Sequence, residues 1–202
     1  MFEPKPDASS RRWLPGAIAA ALIAIVFLAG MDRKALIKRL PFGMAERILD
    51  RDLPEHLRQV FPDATAFSKK QTKPLPHYIA YNGETGSQTV TGYVFWTTEL
   101  QPDERGYDGP IEMLVGLDMN GKLTGVLVTE QHEPYGYFSV GLPSFARQFK
   151  GKDIRDPFKV GQDVAAISRA SISVNSASRA IRNSARLAAR SLIELDHAET
   201  PK

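Results

Sequence analysis

The chain has 202 residues, of which 43% are hydrophobic and 24% are charged, a balance typical of a protein that folds. It contains no cysteine, which excludes disulfides, thiolate zinc sites and cysteine-held iron–sulfur clusters within this sequence. The 26 Lys and Arg residues nearly balance the 23 Asp and Glu residues, so the net charge of +3 does not indicate a nucleic-acid partner.

An apolar segment stands near the N-terminus. Residues 13–30 carry no charged side chain, and a helix of that length would cover roughly 27 Å, close to the ~30 Å core of a bilayer. We predict a single transmembrane anchor here, after a short tail at 1–12. Two alternatives are a buried core helix and a cleaved signal peptide. Basic residues flank both ends of the segment, so their distribution does not give the orientation.

Residues 31–60 show apolar side chains at steps of three to four, which predicts an amphipathic helix. This helix would form a stalk between the membrane and the following domain, or alternatively a linker helix packed on that domain. We place the domain at 61–196 and a short tail at 197–202.

The pattern changes to β-branched and aromatic runs after residue 75, which predicts strands. They are placed at 78–81, 90–97, 112–118 and 122–130, and Asn120-Gly121 joins the last two as a hairpin. A short helix is expected at 143–150, with Phe145 and Phe149 on one face. A long helix is expected at 175–195, capped by Ser173, Asn175 or Ser176. The fold class is therefore α+β, with one N-terminal transmembrane helix and a helical stalk.

Common catalytic signatures are absent, including GxSxG, Walker A, HExxH and GxGxxG. His132 and Glu133 follow a predicted strand, and a structural or ligand-shaping role is favoured over acid–base or metal chemistry. Asp103 and Glu104 lie in a polar loop, where we expect them to be solvated. No catalytic or metal-binding residues are therefore assigned.

The start of the long helix is unusually rich in hydroxyl groups. A helix N-terminus presents unpaired N–H groups and a positive dipole that favour a phosphate. Arg169 and Arg179 would add charge-assisted contacts. The residues alone leave two interpretations open, a phosphate site or a well-capped helix. The four serines before or at this helix start are Ser168, Ser171, Ser173 and Ser176.

Residues 168–173, Ser-Arg-Ala-Ser-Ile-Ser, resemble the (S/T)-G-A-(T/S)-x-(S/T) signature of the FMN-binding domain family. That family includes flavin subunits of the Rnf complex and of the sodium-pumping NADH:quinone reductase, and the N-terminal domain of NosR. The resemblance implies that a flavin transferase joins the FMN phosphate to Ser171 through a phosphoester. Ser168, Arg169, Ala170 and Ser173 would surround the cofactor, with Ser168 and Ser173 as the next candidates for attachment.

The resemblance is strongest to the NosR domain and extends from about residue 60 to 195. It rests on FPDA, GYVFWTTEL, EQHEP and VGLP, and on the segment 106–126, all in the family's order and spacing. It implies that Gly141 and Leu142 lie close to the flavin. The flavin ring would rest against Tyr135, Tyr137 or Phe138.

Three positions depart from the family signature: Arg169 replaces a glycine, Ser171 replaces the usual threonine, and Ala165 replaces an acidic residue. Two functions follow. The first is a membrane-anchored FMN protein relaying electrons, with an iron–sulfur or quinone-linked membrane protein as partner. The second is a flavin-less accessory or assembly subunit, in which the Arg169 side chain fills space vacated by the ligand. The resemblance also implies a periplasmic domain on the cytoplasmic membrane, in contact with the lipid bilayer.

Overall fold

The computed structural model describes residues 52–84 and 86–193. The predicted membrane anchor at 13–30, the tails at 1–12 and 197–202, and the first part of the predicted stalk lie outside these residues. Within the described ranges, no helix combines the length and apolar character needed to cross a bilayer.

Five antiparallel strands form a sheet in which each strand pairs with its neighbours in the sequence, in the order β1-β2-β3-β4-β5. The four predicted strands are confirmed to within two residues at either end. The fifth strand, β1, was not predicted, because a strand of two residues is too short to show alternation of apolar and polar side chains. The strands are β1 (Ala66–Phe67), β2 (Tyr78–Asn82), β3 (Thr89–Trp96), β4 (Glu112–Asp118) and β5 (Leu123–Glu130).

The turn between β4 and β5 confirms the predicted hairpin. Gly121 has a φ of +78°, which glycine adopts without steric penalty. Asp118 Oδ1 accepts the backbone N–H groups of Asn120 at 2.9 Å and Lys122 at 2.8 Å. The side chain thereby satisfies turn donors that the ladder leaves open.

Four helices accompany the sheet, and the described domain is thus of the α+β class. A 3-10 turn covers Gly136–Phe138, and a π-helical turn at Ala189–Ile193 continues the last helix. The helices are α1 (Leu53–Val60), α2 (Thr97–Leu100), α3 (Pro143–Arg147) and α4 (Ser171–Ala188). Phe145 and Phe149 are both buried with ring centroids 5.1 Å apart, which confirms the expected shared face at α3.

The sheet is covered on both faces, because successive side chains along a strand point to opposite sides. On β3, Tyr93 and Phe95 belong to a core shared with α3 and α4, whereas Val94 belongs to a core shared with α1. On β4, Leu114 likewise faces α1, while Met113 faces α4. The long helix and its loops therefore share one face of the sheet.

Helix α1, which lies within the predicted stalk, packs directly on the sheet. Its Leu57 and Val60 are buried, and Thr124 Oγ1 donates to the Val60 carbonyl at 2.6 Å. A Cβ added at Gly116 or Gly125 would lie 2.6 or 2.7 Å from that same carbonyl oxygen. These residues thus agree with the second interpretation of the segment, a helix packed on the domain.

Candidate functional site

A buried carboxylate joins three separate segments of the chain. Glu133 is 6% exposed, and its oxygens accept the backbone N–H groups of Tyr107 at 2.8 Å and Asp108 at 3.0 Å. The Ser173 hydroxyl, on the first turn of α4, donates to the same carboxylate. Three donors directed at one carboxylate satisfy its buried oxygens. Glu133 therefore holds the loop at 106–109 and its own loop, 131–142, against the start of α4, in agreement with a structural or ligand-shaping role.

Close backbone approach shapes the two loops around this carboxylate. A Cβ at Gly106 would lie 2.4 Å from Glu133 Oε1, and a Cβ at Gly136 would lie 1.9 Å from Gln131 Oε1. The Gln131 side chain in turn accepts the backbone N–H of Glu133 at 2.8 Å. Gly141 closes the loop by donating its N–H to the Gly136 carbonyl at 2.8 Å. Glycine at these positions leaves the space in which the loops meet.

The exposed large hydrophobic side chains of the described residues all come from the three segments that Glu133 joins. Tyr137 is 73% exposed and Ile172 is 57% exposed, whereas Phe138 is half-buried against both neighbouring tyrosines. An apolar surface of this kind, with polar groups nearby, is typical of a site that receives a ligand or partner. The five side chains are Tyr107, Tyr135, Tyr137, Leu142 and Ile172.

The start of α4 carries no side-chain cap, so the predicted capping by Ser173, Asn175 or Ser176 was wrong. The helix begins at Ser171, four residues before the predicted start, and its N-cap residue is Ala170. Ser173 is committed to Glu133, and Asn175 Nδ2 donates to the Ser171 carbonyl at 2.7 Å. Ser176 donates to Glu104 Oε1 at 3.0 Å. The side chains of Ser173, Asn175 and Ser176 therefore bind other groups, and none of them caps the N-terminus of α4.

The first three N–H groups of α4 have no acceptor among the described residues. The first helical bond runs from Val174 N to the Ala170 carbonyl at 2.9 Å, so the N–H groups of Ser171, Ile172 and Ser173 remain unpaired. Unpaired donors at a helix N-terminus, together with the helix dipole, favour an anion. This result favours the phosphate site over the well-capped helix.

The predicted cofactor-binding residues differ in their exposure to solvent. Ser168, Arg169 and Ser171 are exposed, as are Gly141 and Leu142, whereas Ala170 and Ser173 are buried. The Ser171 hydroxyl makes no hydrogen bond with other described residues. Ser173 is a poor attachment candidate, because its hydroxyl already serves Glu133.

Arg169 occupies a backbone conformation that suits glycine. Its φ is +66°, and the turn closes when Ala170 N donates to the Ile167 carbonyl at 3.2 Å. The third residue of such a turn needs glycine to reach positive φ without strain. The expectation that the Arg169 side chain fills vacated space was wrong, because the side chain is exposed and has no hydrogen-bond or ion-pair partner among the described residues.

Glu104 is bound rather than solvated, which corrects the expectation for this loop. Arg179 Nη2 donates to Glu104 Oε1 at 2.7 Å, and Ser176 donates to the same oxygen. Partial burial acts to raise the pKa of Glu104, but the hydrogen bonds from Arg179 and Ser176 outweigh it and hold that pKa below 4.5. Asp103 beside it is exposed, as expected.

The segment that forms this site is similar in sequence to known proteins. Residues 106–186, which include the loops around Glu133 and nearly all of α4, match the sequence model of the FMN-binding domain. This segment belongs to the FMN-binding domain family. A similar protein is a subunit of the ion-translocating oxidoreductase complex of Photorhabdus laumondii, which is 34% identical over 83 residues. That alignment spans 40% of this chain and 37% of the relative.

Sequence reasoning favoured a structural or ligand-shaping role for Glu133 without identifying its contacts, and it missed Tyr107 and Ile172. The signal for Glu133 was present, because a carboxylate in an H-E-P segment between a strand and a glycine-rich loop is placed to accept backbone N–H groups. Its partners could not be chosen from the sequence, since they lie 25, 26 and 40 residues away.

Proposed function

We propose that this domain binds FMN at the start of α4 and transfers electrons as a subunit of a membrane redox complex, in the NosR-like branch of its family. The observation that carries the proposal is the open helix end, where three unpaired N–H groups stand beside the exposed Ser171 hydroxyl. The position of this helix end inside the segment of the FMN-binding family supports it.

The FMN phosphate would be held by backbone donors and by charge. The N–H groups of Ser171, Ile172 and Ser173 supply the donors, and the exposed Arg169 guanidinium supplies a positive charge next to them. The accessible Ser171 hydroxyl is the attachment point for a phosphoester, made by a flavin transferase. Ser168 is the second accessible hydroxyl on the same turn.

The isoalloxazine ring requires an apolar surface near the phosphate. Ile172 adjoins Ser171, and Tyr135, Tyr137 and Leu142 extend from the loop that Glu133 holds against the same helix start. Tyrosine faces favour stacking with a planar ring. Bound FMN supplies one- and two-electron transfer, while the protein fixes the ring's position and surroundings.

Membrane partners are proposed from the relative and from the apolar segment. The relative is named as part of an ion-translocating oxidoreductase complex, which supports a membrane redox complex as the partner. Within that complex we propose an iron–sulfur or quinone-linked protein as the electron-transfer partner, as the family resemblance implies. Residues 13–30 would anchor the domain in the cytoplasmic membrane as a single span, with the domain on the periplasmic side.

A second function is favoured by one observation, the arginine in a glycine conformation at position 169. A chain that keeps the domain without a bound flavin would serve as an accessory or assembly subunit of the same kind of complex. The two functions differ in whether the native protein carries flavin.

The deciding experiment is intact mass and visible absorption of the protein purified from its native membrane. The electron-transfer function predicts a mass increase equal to FMN minus water, with flavin absorption that survives denaturation. Colour without added mass would mean bound but untethered FMN. An unmodified, colourless protein that still purifies with its complex would contradict the first function and support the second.

A further inference from the structure

A concave surface lies along α4, beyond the helix start. It is a cleft of about 420 Å³ between this helix and the loop at 157–159. Four of its lining residues, Asn175, Arg179, Arg182 and Arg186, recur every three or four positions and therefore share one helix face. Lys159 lines the loop side, so four cationic side chains border one small cleft.

Three of these four cations make no ion-pair contact with a carboxylate among the described residues, although the charge of Arg182 acts on Glu104 at longer range. Arg179 is paired with Glu104, but Lys159, Arg182 and Arg186 form no ion pair. The Arg186 guanidinium donates to the carbonyls of Ile154 at 2.7 Å and Asp156 at 2.9 Å. Carbonyl oxygens orient a guanidinium without neutralising it, so the cleft retains a net positive charge.

The carboxylates of the adjacent loop are directed elsewhere. Asp153 is paired with Arg155, and Asp163 is paired with Lys152. Asp156 Oδ2 accepts the backbone N–H of Asp153 at 3.0 Å. Among the described residues, no carboxylate lines the cleft. Glu104, which pairs with Arg179, is not a lining residue.

The loop side of the cleft is held in place. Phe158 has a φ of +51°, and its buried ring stacks on Phe149 with centroids 6.1 Å apart. Asp163 accepts the backbone N–H groups of Phe158 at 3.0 Å and Lys159 at 2.6 Å. The buried Phe158 ring and the Asp163 carboxylate together hold this strained turn in place. The backbone of Lys159 is therefore fixed at the edge of the cleft.

We propose that this cleft binds a small anion carrying at least two negative charges on phosphate or carboxylate groups, at a site separate from the proposed FMN phosphate site at Ser171. The planar guanidinium group can donate two parallel N–H bonds to a pair of oxygens of either a carboxylate or a phosphate. A cleft of this size accommodates a small molecule. The site does not require flavin, so it stands or falls independently of the proposed FMN function.

The test is calorimetric titration of the full-length chain, without added flavin, with pyrophosphate and separately with citrate. The variants Arg182→Gln and Lys159→Gln each remove one cation of the cleft. Arg58→Gln is the matched control, because Arg58 is exposed, lies on α1 against the other face of the sheet and does not line the cleft. Thermal melting of each variant checks that the fold is intact.

We expect saturable binding of at least one probe, weakened about tenfold or more by Arg182→Gln and Lys159→Gln, as for loss of one charge-assisted contact. Arg58→Gln should bind as the unaltered chain does. Preference for pyrophosphate would assign a phosphate ligand, and preference for citrate a polycarboxylate. Absence of saturable binding of either probe, or equal weakening by all three substitutions, would overturn the proposal.

Discussion

The buried carboxylate of Glu133 accepts the hydroxyl of Ser173, a residue 40 positions later in the chain. Ser173 is the last hydroxyl position of the family-like signature, and its partner belongs to the H-E-P segment that the same resemblance picks out. The two motifs are therefore joined by one hydrogen bond. Because Glu133 also binds the loop at Tyr107, this contact determines the arrangement of all three site segments.

Replacement Glu133→Gln should destabilise the domain. The amide would present an NH₂ group where the carboxylate now accepts N–H and hydroxyl donors, leaving at least one buried donor unpaired. We expect the free energy of unfolding to fall by about 1–3 kcal/mol, measured by urea denaturation. The control is Glu84→Gln, an exposed carboxylate without a side-chain partner among the described residues. Equal effects of the two substitutions would refute the role of Glu133.

Replacement Arg169→Gly should stabilise the domain, because glycine adopts the +66° φ without a Cβ clash. We expect a gain of about 1 kcal/mol in the free energy of unfolding. Arg169→Ala is the matched control, since it removes the guanidinium but keeps the Cβ. A gain of similar size from alanine would mean that side-chain charge, rather than backbone strain, carries the effect.

Replacement Ser171→Ala should abolish covalent flavin while leaving the fold intact. The expected result is loss of flavin fluorescence from the denatured protein band, after production in cells that contain a flavin transferase. Ser168→Ala, which removes the other exposed hydroxyl of the same turn, should retain the fluorescence. A persistent adduct in the Ser171→Ala protein would move the attachment to another residue.

Acidification should weaken the tie between the loop at 104 and α4. The pKa of Glu104 in the folded protein lies below its ordinary value of 4.5, so its stabilising effect is complete above that value and is lost as the pH falls toward the lower folded pKa. Unfolding free energy measured between pH 7 and pH 3 should therefore decline less steeply for Glu104→Gln than for the unaltered chain. Asp103→Asn is the matched control, because it removes a neighbouring exposed carboxylate and keeps Glu104 with its contacts to Arg179 and Ser176.

The strands and the hairpin could be predicted because their signals are local. Runs such as 90–97 are rich in β-branched and aromatic residues, and Asn-Gly specifies its own turn. The start of α4 could not be located in the same way. Serine serves equally at a cap or inside a helix, and here Ser173 and Ser176 bind carboxylates from distant loops.

The candidate site was predicted in part for a similar reason. Ser171 and Arg169 follow from a contiguous signature, so their adjacency needed no fold. The partners of Glu133 and Glu104 depend on how loops separated by tens of residues meet α4. The sequence around Glu104 is polar and acidic, which is typical of a solvated loop. The ion pair between Glu104 and Arg179, 75 residues apart, could not be predicted from that pattern.

Because both faces of the sheet are buried, the core that packs against α1 is separate from the face that carries the candidate site. Val94 and Leu114 are fully buried on the face that packs against α1, with none of the site residues among their cluster. Substitution of a site residue on the opposite face of the sheet removes no contact within that cluster. An altered signature residue such as Arg169 therefore leaves the packing of the sheet against α1 unchanged.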